Sequence, residues 1–377
     1  MRILAIETSC DETALALLEA TGGLSAPQFK ILGNVISSQI EVHRPWGGVV
    51  PNLAKREHLK NLPVVLEELV GGPASGKKPG LLALDAIAVT VGPGLEPALW
   101  TGVNFAKELY KNLKKKNSKL KLIGVNHLEG HLYSFLLKQK AEFSIFPPEA
   151  DPPSEDNFQF SKRKLFPAIA LIVSGGHTIL LKMDSLTKWK KLGETRDDAV
   201  GEAFDKVAKM LDLPYPGGPE IQKLAKQGNS HAIEFPRPMI HDKSYDFSYS
   251  GLKTSVLYYL RDRKEAEPPR VGGSASRKLK ADVAASFQEA ALDVLVTKAT
   301  RAAKEYEARS IFLSGGVAAN ASLREKLEAT SKKMRIGFIA PPMDFNTDNG
   351  VMIGVAGYIS YLRKKNKRIT AQANLNL

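Results

Sequence analysis

The stretch Ile3-Leu-Ala-Ile-Glu-Thr-Ser-Cys-Asp-Glu-Thr-Ala-Leu-Ala-Leu-Leu18 decides the fold, because an apolar run breaks at a polar turn and then resumes. Apolar runs on both sides of a polar turn predict a β-hairpin. The same pattern returns at Ala168-Ile-Ala-Leu-Ile-Val-Ser-Gly-Gly-His-Thr-Ile-Leu-Leu181, close to half the chain further on. The repetition predicts an internal duplication in which one hairpin opens each half.

Strands and helices alternate elsewhere in the chain. Apolar strands that end in glycine turns are predicted at 86–94 and 311–317, and helices are predicted at 281–306 and 351–362. Such alternation is typical of α/β proteins. We therefore expect an α/β fold built from two similar halves.

Three segments predict surface loops or insertions. Glycine and proline dominate residues 71–80, prolines interrupt the segment near 146–164, and charged residues with a Pro-Pro pair fill 261–280. Proline fixes φ and removes a backbone donor, so such segments do not form central strands or uninterrupted helices. We expect them at the surface.

Length and composition bound the class of protein. A chain of 377 residues is long enough for two domains with substantial cores. No apolar run reaches the ~18 to 20 residues that cross a bilayer, and the N-terminal residues lack the pattern of a signal peptide. The single cysteine, Cys10, excludes an intramolecular disulfide and a cysteine-based zinc site. We expect a cytoplasmic protein with no membrane partner, and Cys10 as a small buried residue rather than a nucleophile.

The charge of the chain points to a polyanionic partner. The formal net charge is +13, and basic residues cluster at Lys107 to Lys121 and at Arg363 to Arg368. Such an excess favours nucleic acid over a membrane surface, because neither cluster is amphipathic with aromatic anchors. The alternative for each cluster is a solvated surface without a partner.

Two histidines stand four residues apart in Asn126-His-Leu-Glu-Gly-His131. Residues at i and i+4 share a helix face, so His127 and His131 can reach one metal ion. The alternative is two surface histidines. Asp348 is the natural third ligand, unless Thr347 or Asp348 serves only as the N-cap of the helix that follows.

Polar and glycine-rich turns supply further candidates. Asp11 and Glu12 are adjacent carboxylates in the first hairpin, where one can act as general base or position a metal. The alternative is a solvated acidic turn. Ser174-Gly-Gly-His-Thr178 and Ser314-Gly-Gly-Val-Ala-Ala-Asn320 follow strands, and their backbone N–H groups can hold a phosphate. Either can also be a plain turn, and neither fits a P-loop or a Rossmann fingerprint.

Taken in order, these blocks resemble one family closely: the tRNA threonylcarbamoyladenosine synthases of the TsaD family, within the actin/Hsp70/sugar-kinase superfamily. The blocks span nearly the whole chain: Glu7-Thr-Ser-Cys-Asp-Glu-Thr13, Asn126-His-Leu-Glu-Gly-His131, Val173-Ser-Gly-Gly-His-Thr178, Asp198-Ala-Val-Gly-Glu-Ala-Phe-Asp-Lys206, Tyr215-Pro-Gly-Gly-Pro219, Phe247-Ser-Tyr-Ser-Gly-Leu-Lys-Thr254, Ser314-Gly-Gly-Val-Ala-Ala-Asn320 and Thr347-Asp-Asn349.

The resemblance implies a duplicated actin-like ATPase fold of two domains with a nucleotide cleft between them. We place the first domain at 1–120 plus 345–377, and the second at 121–344 with insertions near 146–164 and 261–280. The implied reaction moves a threonylcarbamoyl group from threonylcarbamoyl-AMP to N6 of adenine 37 in tRNAs that read ANN codons, and it releases AMP. The implied partners are tRNA, threonylcarbamoyl-AMP and helper subunits of the TsaB and TsaE type.

The resemblance also assigns residues. His127, His131 and Asp348 would bind one divalent metal, Fe²⁺ or alternatively Zn²⁺. The adenylate would be held by Ile172, Val173, Ser174, Gly175, Gly176, Asp205, Gly218 and Asn320. Gln222 stands where some relatives have Glu or Asp, so it would offer the ribose an amide instead of a charge. Asp11 is the candidate general base, followed by Glu12.

Three other functions compete with this interpretation. A metallopeptidase requires a glutamate directly after the first histidine, where this chain has Leu128. Glu129, two residues after His127, is turned roughly 200° around the helix from that histidine and would face away from the metal. A sugar-kinase-like ATPase would not need the two histidines on a metal. A protein that only binds nucleic acid would leave the glycine turns and metal ligands without a role.

Overall fold

The computed structural model describes residues 1–71, 80–137, 165–266 and 274–377. The expected insertion near 146–164 and all but the two ends of the segment 71–80 lie outside the described residues. Ten strands occur in the described part: β1 (Arg2–Glu7), β2 (Glu12–Thr21), β3 (Gln28–Ser38), β4 (Ala86–Gly92), β5 (Lys121–Asn126), β6 (Ala168–Val173), β7 (Thr178–Ser185), β8 (Lys188–Glu194), β9 (Ser310–Ser314) and β10 (Gly337–Ile339).

The described residues also form ten α-helices: α1 (Ile40–His43), α2 (Pro51–Gly71), α3 (Glu96–Lys114), α4 (His127–Tyr133), α5 (Val200–Met210), α6 (Gly217–Ala225), α7 (Ser250–Ala266), α8 (Ser274–Glu305), α9 (Ala321–Met334) and α10 (Gly350–Leu362). The α/β class is confirmed. No described helix is both long enough and apolar enough to span a membrane.

The first five strands form one mixed sheet in the order β3-β2-β1-β4-β5. The first hairpin is antiparallel, with Ile6 opposite Leu15, whereas β4 runs parallel to both β1 and β5. Parallel strands end at the same edge, so this topology brings the ends of β1 and β5 together with the turn after β1. The predicted hairpin at Ile3–Leu18 is confirmed.

The last five strands form a second sheet in the order β10-β9-β6-β7-β8. Here β6 pairs antiparallel with β7 and parallel with β9, and β10 extends the parallel part. Matching β6 to β1 makes the two topologies identical strand by strand. The predicted duplication, with one hairpin opening each half, is confirmed.

Each sheet belongs to its own compact unit. Among the described residues, the first unit holds those up to 137 and those from Pro341 onward, and the second holds 165–340. The boundary placed after residue 120 is wrong, because β5 pairs along β4 and so belongs to the first sheet. The return to the first unit begins at Pro341, slightly before the expected residue 345.

The loop expected over 261–280 is shorter than the composition suggested. Helix α7 continues through Ala266 and α8 begins at Ser274. Charged residues are compatible with solvent-facing helix surface, and only residues 267–273 of this segment lie outside the described part.

Helices cover the first sheet on both faces. On one face α2 and α3 bury an apolar core against β1 and β2, with Leu62 and Val103 among the buried side chains. On the other face α10 lies against β1 and β2 at very short range. A Cβ on Gly350, the first residue of α10, would stand 2.5 Å from the backbone nitrogen of Ala16 in β2, so only glycine allows this approach. The close packing fixes the start of α10, next to Asp348.

Candidate active site

The two candidate metal-binding histidines lie on helix α4, directly after β5. Asn126 is the last residue of β5 and the N-cap of the helix, and its side chain accepts hydrogen bonds from Leu128 N and Glu129 N. All seven residues of α4 are buried, with His127 5% and His131 0% exposed. The interpretation as two surface histidines is therefore wrong.

Asp348 completes a cluster of three potential ligands. Its Oδ1 lies 3.5 Å from His127 Nε2 and 3.2 Å from His131 Nε2. One candidate ligand atom from each residue lies within 4.8 Å of the other two. Neither Thr347 nor Asp348 caps α10, because the Asn349 side chain does so by accepting from Met352 N. Asp348 is thus left to face the histidines.

Electrostatics around His127 favour a cation at this place. Burial alone would lower the pKa of His127, but the carboxylates of Asp348 and Glu7 outweigh it and raise that pKa to about 9. Burial in turn would raise the pKa of Glu7, yet His127 holds it below its ordinary value. Buried Glu7 and half-buried Asp348 therefore favour a positive charge between them, which a proton or a metal ion can supply.

The donor set fits a divalent metal. Both ring nitrogens of His131 are buried and accept or donate no hydrogen bond within the described part of the chain, although Nε2 points at Asp348. Two imidazoles and one carboxylate suit Fe²⁺ and Zn²⁺ alike. His127 also has a partner behind it, since its Nδ1 lies 3.1 Å from Ser9 Oγ and 3.3 Å from a Glu7 oxygen. A carboxylate in that position orients a ligating histidine.

Glu129 faces a different part of the unit. Its Oε1 lies 3.5 Å from Arg363 Nη1 and 4.0 Å from Lys367 Nζ, and Arg363 also donates to the hydroxyl of Tyr133. The buried carboxylate of Glu129 therefore pairs with basic residues that follow α10. It is not part of the His127, His131 and Asp348 cluster.

The first hairpin turn carries the two candidate catalytic carboxylates. Asp11 is only 8% exposed and Glu12, the first residue of β2, is half-buried, so the solvated-turn interpretation is wrong. Burial and the charges of Asp11 and Asp348 raise the pKa of Glu12 well above its ordinary value. Ser9 of the same turn lies with its Oγ 3.1 Å from His127 Nδ1, which places this turn beside the histidine cluster. The same causes raise the pKa of half-buried Cys10, which disfavours the thiolate that a nucleophile needs.

The buried side chain of His58 hydrogen-bonds to residues on both sides of this turn, and no motif in the sequence pointed to this histidine. His58 of α2 lies with Nδ1 2.7 Å from Thr13 Oγ1 and with Nε2 3.0 Å from the carbonyl oxygen of Cys10. Gln39 contacts His58 through its side chain, and its backbone N–H donates to the carbonyl of Asp11. These contacts fix the backbone on both sides of Asp11.

In the second unit the matching turn is glycine-rich. Ile172 and Val173 end β6, and Ser174 to Gly176 form the turn toward β7. Gly201 of α5 packs onto this turn so closely that a Cβ there would stand 2.6 Å from the carbonyl oxygen of Ser174. A Cβ on Gly175 or Gly176, by contrast, would meet nothing within 4 Å. Helix α5 thus packs against one side of the turn, whereas the space next to the Cα atoms of Gly175 and Gly176 is open.

The remaining candidates of the second unit are joined by hydrogen bonds. Asp205 of α5 accepts from the backbone N–H of Gly217, directly before Gly218. One turn later on α6, the Gln222 side chain accepts from Ala321 N at the start of α9. Asn320 caps α9 by accepting from Leu323 N, and its amide donates to Gln288. The four candidates therefore belong to three neighbouring helices: Asp205 lies within α5, Gly218 and Gln222 lie on α6, and Asn320 caps α9.

Two carboxylates of the second unit were not singled out as site residues, yet they join two of the sequence blocks quoted above. Asp197 accepts from the backbone N–H groups of Tyr249 and Ser250 at 2.8 and 3.2 Å. Asp198 forms ion pairs with Lys206 and Lys253. These contacts fix the start of α7 against that of α5, and no spacing rule in the sequence could have paired them.

Comparison with known proteins gives one consistent family. A model of the family described as "TsaD: tRNA N6-adenosine threonylcarbamoyltransferase" matches residues 30–149 and 155–355. The tRNA N6-adenosine threonylcarbamoyltransferase of Moorella thermoacetica is 46% identical over 363 residues, which cover 96% of this chain and 92% of that protein. The enzyme of the same name from Thermosipho melanesiensis is 45% identical over 377 residues, with 100% of both chains covered.

Solved structures of lower identity agree on the fold. The crystal structure of full-length HypF in the phosphate- and nucleotide-bound form matches 98% of this chain and 56% of its own, with a TM-score of 0.53 and 12% identity. At that identity the match concerns the fold alone, and it agrees with the duplicated actin-like architecture of the two sheets.

Proposed function

Because this chain belongs to the TsaD family of tRNA N6-adenosine threonylcarbamoyltransferases, we propose that it takes the threonylcarbamoyl group from threonylcarbamoyl-AMP and transfers it to N6 of adenine 37 in tRNAs that read ANN codons. The coarser activity, a transferase acting on tRNA, follows from the family itself. One arrangement supports the finer proposal: the His127, His131 and Asp348 cluster lies in the same unit as the carboxylate turn of Asp11 and Glu12, and Ser9 of that turn contacts His127.

The metal ligands would be His127, His131 and Asp348, and Fe²⁺ is our first choice over Zn²⁺. When bound, a divalent cation there would polarise the carbamoyl carbonyl or hold the threonyl carboxylate. The protein's own part is to orient the ligands. Glu7 and Ser9 hold Nδ1 of His127, which directs Nε2 toward Asp348.

The second unit would hold the adenylate. The leaving group is an anion, and the open backbone of Ser174, Gly175 and Gly176 suits its phosphate because a Cβ-free turn lets N–H groups approach. The nucleoside would be contacted from three neighbouring helices by Asp205, Gly218, Gln222 and Asn320. The amide of Gln222 already accepts from Ala321 N, so its NH₂ group is the part left to donate to a ribose oxygen.

The proposed step is acyl transfer. The N6 amine of adenine attacks the carbamoyl carbon, a C–N bond forms, and the bond from that carbon to the phosphate oxygen breaks. The electron pair leaves with AMP, and the amine loses one proton. Asp11 would accept that proton or orient the amine, and Glu12, whose pKa is raised by burial and by Asp11, is the second candidate.

The competing functions have less support. A metallopeptidase needs a base at Leu128, which is apolar and buried, and Glu129 is engaged with Arg363. The two relatives, which this chain matches over 92% and 100% of their lengths, are both named as transferases. As part of the same proposal, we expect helper subunits of the TsaB and TsaE type, a separate enzyme that supplies the adenylate, and a cytoplasmic reaction.

A product assay tests the proposal. The protein is incubated with threonylcarbamoyl-AMP, divalent metal and a tRNA that reads an ANN codon, with and without helper subunits, and the tRNA is digested for nucleoside mass spectrometry. We expect one modified adenosine per tRNA at position 37 and an equal amount of AMP. The matched control is the same tRNA with guanine at position 37. Modification of this control, or of neither tRNA under any condition, would contradict the proposal.

A further inference from the structure

A basic cavity of about 430 Å³ opens on the first unit, away from the histidine cluster. It lies where the end of α3, the start of β5 and the end of α10 come together. Six of its lining side chains are lysines or tyrosines: Tyr110, Lys114, Lys121, Tyr361, Lys364 and Lys365. The two basic clusters of the sequence, more than two hundred residues apart, thus meet at one place.

The cavity is positive without internal compensation. None of its lining residues carries a carboxylate, and none of Lys114, Lys121, Lys364 and Lys365 forms an ion pair within the described part of the chain. Lys114 donates to the carbonyls of Ser118 and Leu120, which fixes its ammonium group at the cavity wall. An ammonium group held by neutral oxygens keeps its whole charge for an external anion.

Tyrosine rings fix two of these lysines further. Lys121 Nζ lies 4.3 Å from the centre of the Tyr361 ring and 3.2 Å from its hydroxyl, and Lys114 Nζ lies 5.5 Å from the centre of the Tyr110 ring. Such contacts reduce the conformational freedom that a long side chain loses on binding. The cavity therefore presents partly preorganised charges.

Some basic residues near the cavity already pair with a carboxylate of the protein and so contribute less to binding an external anion. Arg363 and Lys367 both face the carboxylate of Glu129, which balances one of their two positive charges inside the unit. Lys364 and Lys365 are exposed and follow the end of α10 directly. The structure thus divides the basic segment 363–368 into a part that serves the fold and a part that faces solvent.

The cavity stands at a defined distance from the histidine cluster. Helix α10 begins two residues after Asp348 and ends at the cavity, and its 13 residues span about 20 Å at ~1.5 Å per residue. Strand β5 makes the same connection, from Lys121 at the cavity to Asn126 beside His127. A substrate that reaches both places must be an extended polyanion.

We propose that this cavity binds backbone phosphates of the substrate tRNA at a point remote from the modified base. The inference rests on the proposed function, because tRNA is the polyanion which that function supplies. Phosphate contacts position a nucleic acid and add affinity that depends on salt, without reading the sequence. The cavity is thus a docking site, whereas the reacting base belongs at the carboxylate turn.

The test neutralises the two exposed lysines as Lys364→Asn/Lys365→Gln. Lys364 has a left-handed backbone with φ of +54°, a conformation that asparagine tolerates well, so this variant should fold at least as stably as the parent. We expect weaker tRNA binding, a raised KM for tRNA with kcat nearly unchanged, and a salt slope smaller by roughly 0.7 to 0.9 for each phosphate that the variant no longer neutralises. Metal content should stay at the parent level.

The matched control is Lys332→Gln/Lys333→Gln, another exposed adjacent pair, which lies at the end of α9 in the second unit. It removes the same charge and should leave affinity and salt slope nearly at the parent values. The inference is overturned if both double variants bind tRNA alike, or if the cavity variant instead loses affinity for ATP in a titration without tRNA. If no variant and no parent modifies tRNA but the cavity variant still loses tRNA affinity, the proposed function fails and the docking site stands.

Discussion

A carboxylate oxygen of Glu7 lies 3.3 Å from Nδ1 of His127, so the last residue of the first strand contacts the first candidate metal ligand. Glu7 is fully buried and is also held by the hydroxyl of Thr90 at 2.6 Å. A buried charge keeps its place only when it is paired and hydrogen-bonded. Together with the contact of Ser9 Oγ at 3.1 Å, this contact links the first hairpin to the histidine cluster.

Replacement of Glu7 by Gln should weaken metal binding without removing a ligand. The amide can keep the hydrogen bond to Thr90 but cannot stabilise charge on His127, so we expect affinity for Fe²⁺ or Zn²⁺ to fall ~10- to 100-fold. Competition with a chelator of known affinity measures this. Thr90→Val is the control, because it removes a hydrogen bond of Glu7 that does not involve His127. Equal affinity in the parent and Glu7→Gln would contradict the orienting role.

Removal of the histidines tests the site itself. The double variant His127→Ala/His131→Ala should contain no bound metal by elemental analysis, whereas the parent should contain one ion per chain. Each single variant should retain little, because one imidazole and one carboxylate do not hold Fe²⁺ or Zn²⁺ firmly. His241→Ala is a control on an exposed histidine. Full stoichiometry in the double variant would place the metal elsewhere.

A branched side chain in the second-unit turn should block nucleotide binding. A Cβ on Gly176 would meet no atom within 4 Å, so Gly176→Val should fold normally and place its methyl groups in the open space that the phosphate would use. We expect the affinity for AMP to fall by at least about tenfold, or about 1.4 kcal/mol, by calorimetry. Gly251→Val adds the same side chain at an exposed helix position. Unchanged AMP affinity in Gly176→Val would exclude this turn as the phosphate site.

Loss of the basic charge at Asp11 should slow the chemical step. Asp11→Asn keeps the size of the side chain, so nucleotide and metal should bind nearly as in the parent while turnover falls ~10²- to 10⁴-fold. Single-turnover measurement of tRNA modification isolates this step. Glu12→Gln, measured in parallel, identifies which of the two carboxylates takes the proton. Turnover at the parent rate in Asp11→Asn would assign that role to Glu12 or to a group outside this turn.

The His58 network should make the fold sensitive to acid. Burial lowers the pKa of His58 below the ordinary value of 6.5. The unfolded chain therefore binds the proton more readily, and the stability that neutral His58 contributes is present above pH 6.5 and is lost as the pH falls below it. His127, whose pKa is raised to about 9, affects a separate pH range. The stability that protonated His127 contributes to the fold is fully present below pH 6.5 and is lost as the pH rises toward 9.

Chemical denaturation of metal-free protein at several pH values measures this effect. The free energy of unfolding should fall as the pH drops below 6.5 in the parent and fall less steeply in His58→Asn. His231→Asn, at an exposed position, should keep the slope of the parent. His43 also has a pKa lowered by burial, so some slope should persist in His58→Asn. Identical slopes in parent and His58→Asn would contradict the assignment.

The sequence predicted those features that depend on local periodicity. Two apolar runs around a polar turn are enough to predict each hairpin, and the spacing of His127 and His131 follows from helix geometry once a helix is assumed. The family blocks added Asp348, which no spacing rule connects to residues so far away. What these features share is that each is encoded within a few neighbouring residues or within a block matched as a whole.

Contacts between distant segments could not be predicted in this way. The boundary after residue 120 failed because composition does not show that β5 pairs with β4. The alternative in which Thr347 or Asp348 caps α10 is wrong, because the backbone at Asn349 has the extended conformation that a cap requires and its side chain accepts from Met352 N. Likewise, nothing local marks Arg363 as a partner of Glu129 or Lys364 as a cavity residue, since both belong to one basic run.

The interrupted path of the first unit has a consequence for synthesis on the ribosome. His131 leaves the ribosome 217 residues before Asp348, which corresponds to about 10 to 40 s at translation rates of ~5 to 20 residues per second. During that time the sheet face that α10 later covers stays exposed, and the second unit is made in the interval. Chains released early, before Asp348, would carry both histidines and the first hairpin turn, but no complete metal site. The nascent first unit is thus a natural client for chaperones, and the ability to bind metal reports that translation has passed residue 348.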